Sequence, residues 1–148
     1  MLHLRPALPD DAPLLHAITR AAYAVWVPLI GREPLPMLAN PAAAICDHRV
    51  VVAMQGDHAV GLIEIIPEPD HLWIENVAVL PEAQGQGVGR ALLRHAENVA
   101  RGLGVAQVRL LTNGAFAANL AMYDRAGFKM DRTEPFRGGT TVYLTKLV

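Results

Sequence analysis

Apolar and polar positions along this chain follow two periods, and each change of period marks an element. Leu2-His3-Leu4-Arg5-Pro6-Ala7 alternates and reads as a short edge strand, where a proline is tolerated. Leu14, Leu15, Ile18, Ala21, Ala22 and Val25 then recur at helical spacing. Asp10 or Asp11 offers an N-cap, Pro13 falls in the first turn, and Pro28 is expected to end this helix. From Pro28 to Pro41 four prolines and Gly31 break any period, which predicts a loop with one or two short helical turns. Arg49–Met54 is a β-branched run, Gly56-Asp57 a turn signal, and Ala59–Ile66 a second strand. Pro67-Glu68-Pro69-Asp70 turns the chain again before a third strand, Leu72–Leu80, so an antiparallel meander is expected.

The second half begins with a helix from about Val88 to Arg101, with Val88, Leu92, Ala96, Val99 and Leu103 on one face and Gly102 and Gly104 as stop signals. Val105–Leu111 reads as a strand and Phe116–Arg125 as a helix ended by Gly127. Phe128–Arg132 and Thr140–Leu147 close the chain as two strands around Arg137-Gly138-Gly139. Strands and helices in this order describe a mixed α/β domain, with a parallel, right-handed strand–helix–strand unit at its centre.

Composition narrows the classes. A chain of 148 residues predicts one domain, and 52% hydrophobic against 18% charged residues argues against disorder. The net charge is −1 and Lys and Arg do not cluster, so neither nucleic acid nor an anionic membrane is an expected partner. Met1–Asp11 lacks the apolar core of a signal peptide, and no apolar run is expected to reach the length of a bilayer span. Cys46 is the only cysteine, which rules out an intramolecular disulfide and suggests a cytoplasmic setting. It reads as an inert buried thiol. None of the six histidines pair at metal-ligand spacing, so no metal is expected.

The densest signal is Gln84-Gly85-Gln86-Gly87-Val88-Gly89-Arg90, set between a strand and a helix. Backbone N–H groups at a helix start lack intrahelical partners, and glycines let a phosphate approach them. The dinucleotide fingerprint fails here because position 90 is Arg, and the P-loop fails because no Gly-Lys-Ser/Thr ending is present. Three glycines cost helix-start stability, up to about 1 kcal/mol each, with no packing return visible in the sequence.

What remains is Gln84-x-x-Gly87-x-Gly89, which resembles the pyrophosphate loop of the GCN5-related N-acetyltransferase (GNAT) family. The likeness extends to Glu75-Asn76-Val77-Ala78-Val79-Leu80-Pro81-Glu82 before the loop, to Asn119…Tyr123…Gly127-Phe128 after it, and to Leu4-Arg5-Pro6-Ala7…Asp10-Asp11 at the start. It implies a mixed, mostly antiparallel sheet of about seven strands, helices on both faces, and a cleft where the fourth and fifth strands splay. It also implies acetyl-coenzyme A as co-substrate and direct acetyl transfer to a primary amine on a small molecule or a peptide. A homodimer is left open. A second reading, a coenzyme-binding module without turnover, keeps the loop and needs neither Glu75 nor Tyr123.

The resemblance assigns roles by position. Gln84, Gly85, Gln86, Gly87, Val88, Gly89 and Arg90 would cradle the pyrophosphate. Val77, Ala78 and Val79 would pair with the pantetheine through backbone freed by a bulge, and the Val77 N–H would polarise the thioester carbonyl. Asn119 would contact the pantetheine, and Tyr123, one helical turn later, would protonate the departing thiolate. Glu75 is a carboxylate inside an apolar strand, which is costly unless it faces a cleft, and partial burial would suit it as the general base. Glu33, Glu64 and His71 are alternatives for that role. The acceptor side would be built from the segment Tyr23–Met37, with Tyr23, Trp26, Arg32 and Glu33 joined by Trp73. Arg32 and Glu33 look like an ion pair, and Met37 reads as pocket wall or core. Asn113 is read as a cap for the following helix.

Overall fold

The computed structural model describes residues 1–148. Seven strands form one sheet: β1 (Leu2–Pro6), β2 (Arg49–Gln55), β3 (His58–Pro67), β4 (Leu72–Val79), β5 (Gln107–Asn113), β6 (Lys129–Phe136) and β7 (Gly139–Leu147). Their spatial order is β1-β2-β3-β4-β5-β7-β6. Only the β4–β5 pairing is parallel, and it is closed by the helix α5 (Val88–Leu103). The mixed, mostly antiparallel sheet expected from the resemblance is therefore present.

Both faces of the sheet are covered. Helix α1 (Ala12–Tyr23) lays Leu15, Ile18 and Tyr23 on one face, against Val50, Val52, Leu62 and Ala78. α5 lays Val88, Leu92, Leu93, Ala96 and Ala100 on the other, against Val51, Ala53, Ile63, Ile65 and Val108. Strand β2 thus divides its valines between two cores, which is why it reads as an unbroken apolar run. A Cβ at Gly61 would lie 2.9 Å from the Ala78 carbonyl oxygen and 3.1 Å from Val88, so the glycine lets α5 approach β3.

The connection after α1 departs from expectation. Pro28 does not end a helix. The chain passes through a 3₁₀ turn at Ala24–Trp26 into α2 (Val27–Ile30), where Pro28 sits in the first turn and needs no N–H. The helical path from Pro9 to Ile30 covers 22 residues and is long and apolar enough to cross a membrane, contrary to the sequence expectation. Leu15, Ile18, Thr19 and Tyr23 bury one stripe of it on the sheet. Two further helices follow, α3 (Leu35–Leu38) and α4 (Pro41–Asp47). α4 was not foreseen, although Asn40 caps it by accepting from the Ala42 and Ala43 N–H groups at 3.0 and 3.3 Å. Asp11 precedes α1 but spends its carboxylate on Arg5 (2.8 and 3.0 Å) and the Leu8 N–H (2.7 Å). Cys46 lies exposed on α4, not buried as expected, because that short helix packs through Ala44 and Ile45 instead.

Two irregularities in β4 set up everything that follows. β4 pairs with β5 only at Leu72, Trp73 and Ile74, after which the strands diverge. Against β3, Ile74 faces Ile65 and Asn76 faces Glu64, which leaves Glu75 as an extra, unpaired residue. The bulge reverses the strand's phase. Leu72 and Ile74 before it, and Val77 and Val79 after it, all enter the α5-side core.

Candidate functional site

Two cavities open along the diverging edge of β4. The first lies under the start of α5, which α6 (Ala117–Arg125) flanks, and has a volume of about 690 Å³. Its floor is Val77, Ala78 and Val79. The Leu80 N–H bonds to the Val60 carbonyl at 2.8 Å, so even-numbered residues here face β3 and Val77 and Val79 turn their N–H and C=O groups to the cleft. The Tyr23 hydroxyl oxygen lies 3.4 Å from the Val77 carbonyl and Gln84 Nε2 donates toward that of Val79 (3.3 Å), which leaves the two N–H groups open.

The rim is the glycine loop. Gly85 and Gly87 have φ of 79° and 84°, the left-handed region, with nothing within 4 Å of an added Cβ. Backbone conformation, not crowding, demands glycine at these two positions. Gly89 is different, since a Cβ there would fall 2.6 Å from Sδ of Met122. The expectation that these glycines have no packing return fails at Gly89, which lets α6 seat against the first turn of α5. The first helical bond of α5 runs from the Ala91 N–H to the Gly87 carbonyl at 3.0 Å. The Val88, Gly89 and Arg90 N–H groups ahead of it have no helical acceptor and point out with the positive end of the dipole. Arg90 and, from α6, Arg125 add two guanidinium groups to the same cavity. Free strand-edge N–H groups, an anion-binding helix start and a groove between them fit a long ligand with amides at one end and phosphate at the other.

Of the residues read from sequence as lining this groove, Gln84, Gly85, Gly87, Val88, Gly89, Arg90, Val77, Ala78, Val79 and Asn119 do so. Gln86 does not. Its side chain accepts from Gln55 Nε2 at 3.0 Å and donates to the Glu82 carbonyl, so it braces the loop from outside. Tyr123 is 5% exposed and packs edge-on against Phe128 at 5.8 Å, one layer behind the groove wall. It is more buried than an ordinary amphipathic helix predicts, and burial pushes its phenol up from the usual value. Arg125 and Ala22 are groove residues the sequence reading missed; an arginine in the last turn of a helix ordinarily serves that helix's dipole and carries no local sign of a ligand.

The second cavity, about 500 Å³, lies between the α2–α4 segment and the β5–β7 strands. Glu75, thrown out of register by the bulge, faces it together with Glu64, Asn76, Asp47 and His48. Burial pushes the Glu75 carboxyl up, and the Glu64 carboxylate adds to this, while His48 and the Trp73 indole hold it down. Glu64 is 9% exposed, and its Oε2 lies 2.5 Å from His48 Nδ1, so the buried carboxylate is partnered. Tyr23 lines both cavities and is 8% exposed, and its hydroxyl donates to Asn76 Oδ1 at 3.0 Å. Asn76 in turn donates to Thr19 at 3.2 Å. Burial, and the nearby Tyr123, push the Tyr23 phenol up.

The acceptor-side expectations divide. Tyr23 and Arg32 line the cavity, and the Arg32 guanidinium lies 5.5 Å from the Phe136 ring across its mouth. Trp26 does not reach it. It stacks at 4.8 Å on Phe116, which is the wall residue. Glu33 pairs with Arg20 at 2.5 Å rather than with Arg32, because the turn after Gly31 sends the two side chains apart. Met37 is core, 4% exposed. Trp73 shares the sheet face of Glu75 and its indole bonds the Glu75 carboxyl, but it borders a separate depression with His71, Gln107 and Arg109. His71 pairs with Asp70, away from Glu75. Asn113 accepts from the Ala115 N–H at 2.9 Å and shapes the turn into α6.

Comparison with known proteins bears on the fold and the family. The family model described as "Acetyltransferase (GNAT) family" matches residues 15–128. The [ribosomal protein bS18]-alanine N-acetyltransferase of Escherichia coli K12 is 41% identical over 59 residues, 40% of this chain and 40% of that protein. The PaiA N-acetyltransferase of Thermoplasma acidophilum, solved in complex with coenzyme A, superposes with a TM-score of 0.86 at 18% identity, over 100% of this chain and 99% of that one. The Escherichia coli ribosomal-protein-S18-alanine N-acetyltransferase gives 0.79 at 22% identity, over 99% and 94%. At these identities the structural likeness speaks for the fold, while the family match spans most of the chain: the protein belongs to the GNAT acetyltransferase family.

Proposed function

We propose that the chain transfers an acetyl group from acetyl-coenzyme A directly to a primary amine, with both substrates bound at once. One observation carries this reading: two cavities with opposite furnishing share Tyr23 as a wall, and the bulged Glu75 stands in the second. The groove under α5 fits the coenzyme, whose thioester supplies the acetyl group. The free N–H groups at Val77 and Val79 are donors for the amides and for the carbonyl oxygen on which charge develops. A neighbouring solved structure that holds coenzyme A supports this choice of donor.

Glu75 supplies the base. An alkyl ammonium cannot attack a carbonyl until it loses a proton, and a carboxyl pushed up by burial is better matched to that proton than an ordinary glutamate. The nitrogen then bonds the acetyl carbon as the carbon–sulfur bond breaks. Tyr123, buried behind the groove rather than on its lining, is the candidate proton donor for the thiolate. The acceptor is a small amine or a peptide amine; the relative that acts on an alanine of ribosomal protein bS18 supports including the latter.

Thermal denaturation with added acetyl-coenzyme A tests the donor. At a hundred times its dissociation constant the ligand adds about 2.7 kcal/mol to stability. Thiol release over a panel of small amines and short peptides tests the acceptor. No stabilisation at millimolar coenzyme would falsify the donor assignment.

A further inference from the structure

Glu64 and His48 are paired titratable groups of the acceptor cavity that the transfer itself does not use. Glu64 is buried in a strand and faces Asn76 across the β3–β4 ladder, next to the bulge. A buried carboxylate needs a partner, and His48, the residue that closes α4, provides it at 2.5 Å. His48 immediately precedes β2, whose Val50 faces Glu64 across the β2–β3 ladder, so that ladder brings the two together, and both face the cavity that Glu75 faces.

The geometry points to His48 and Glu64 as positioning residues for Glu75: the imidazole neutralises one of two adjacent carboxylates, so that Glu75 alone takes the acceptor's proton. This inference rests on the reading of Glu75 as base. Its physical basis is the sign of each neighbour. The Glu64 charge disfavours an ionised Glu75, and a protonated His48 favours it. Asp47 from α4 and Arg32 from the segment before it are the other charged groups on the cavity wall. The β5–β7 side adds only Leu111, Thr112, Asn113, Thr141 and Phe136, and α1 adds Tyr23.

In the step concerned, an ammonium N–H bond breaks and an O–H bond forms on Glu75. That proton must reach solvent before the next turnover. His48 keeps 30% of its side chain exposed while Glu64 is largely enclosed. The pair therefore acts on the base through its charges without touching the substrate.

Opposite substitutions have opposite effects. In protein labelled with ¹³C at the glutamate carboxyl, the Glu75 signal is identified by its loss in Glu75→Gln and followed as pH is varied. His48→Gln, which keeps a hydrogen bond to Glu64 but no charge, is expected to move the Glu75 midpoint up by about half a pH unit or more. Glu64→Gln is expected to move it down by a similar amount. The acid limb of kcat/KM, measured with acetyl-coenzyme A and the best amine of the panel, should move in the same two directions while kcat on the plateau changes little. Midpoints that stay put, or that move the same way in both variants, overturn the inference. Should Glu64→Gln not fold, the direction of the His48→Gln shift decides alone. An acid limb that survives in Glu75→Gln overturns the base assignment as well. A limb lost in Glu75→Gln but unmoved in the other two overturns only the present inference.

Discussion

The groove under α5 and the cavity under α2–α4 share one diverging strand but are made of different material. The groove is mostly backbone: helix-start N–H groups, strand-edge N–H groups, and glycines at 85 and 87 that hold a left-handed turn. The cavity is mostly side chains brought by several elements, with Glu64 and Glu75 from the sheet, Asp47 and His48 from the end of α4, and Arg32 from the turn before α3. A backbone site recognises a constant feature, amides and phosphate, and changes little when a side chain is replaced. A side-chain site can be rebuilt one residue at a time. A fold that binds one donor and serves many acceptors needs this division.

The contrast can be broken in several ways. The largest effect is expected from Glu75→Gln. Thiol release should slow by about 10²–10⁴-fold, the range for loss of a general base, while the coenzyme dissociation constant measured by calorimetry stays the same. Activity kept within tenfold would mean the acceptor's proton leaves elsewhere. Gly87→Ala comes next. Forcing a side chain into the left-handed region costs about 1–2 kcal/mol, so coenzyme binding should weaken by about 5–30-fold with the acceptor KM unaltered. A rise in acceptor KM instead would show the two sites are not separable.

Tyr123→Phe should lower kcat by about tenfold at constant coenzyme affinity, below the usual range for a general acid, since burial makes the phenol a reluctant donor. Stopped-flow thiol release reads this directly, and an unchanged rate removes Tyr123 from the chemistry. The smallest effect is on stability. Glu75 has its folded value raised above the unfolded one, so its charged form is disfavoured by folding at neutral pH. Glu75→Gln should therefore raise Tm slightly at pH 7. That gain should vanish as pH falls below about 4.3, where the carboxyl is protonated in the unfolded chain too.

The division between the cavities also governs what could be read beforehand. The donor groove was legible because its requirements are local. Gly85 and Gly87 must be glycine for a turn, and Asn119 keeps its place by lying on one short helix. Even there, Gly89 was misjudged, because its need for a missing Cβ comes from Met122, more than thirty residues later. The acceptor cavity was less legible. Trp26 and Trp73 are the two largest side chains near the site, yet a stack on Phe116 takes the first and a separate depression beside Arg109 takes the second. His48 was passed over because α4 is seven residues long and shows no periodic stripe, although Asn40 and Pro41 carry ordinary start signals. A histidine that matters through a buried glutamate sixteen residues away leaves no local trace.

The bulge at Glu75 has a consequence for how such a protein can change over generations. The ladder is regular on either side of position 75, with Ile74 opposite Ile65 and Asn76 opposite Glu64, whichever residue stands between them. Deleting position 75 would leave Asn76, Val77, Ala78 and Val79 on the faces they hold now and would remove only the bulge that sets a side chain into the second cavity. Exchanging the residue there alters only what the incoming molecule meets. Position 75 therefore stands outside the ladder and is free in identity, a point at which new acceptor chemistry can be tried without the fold having to be found again.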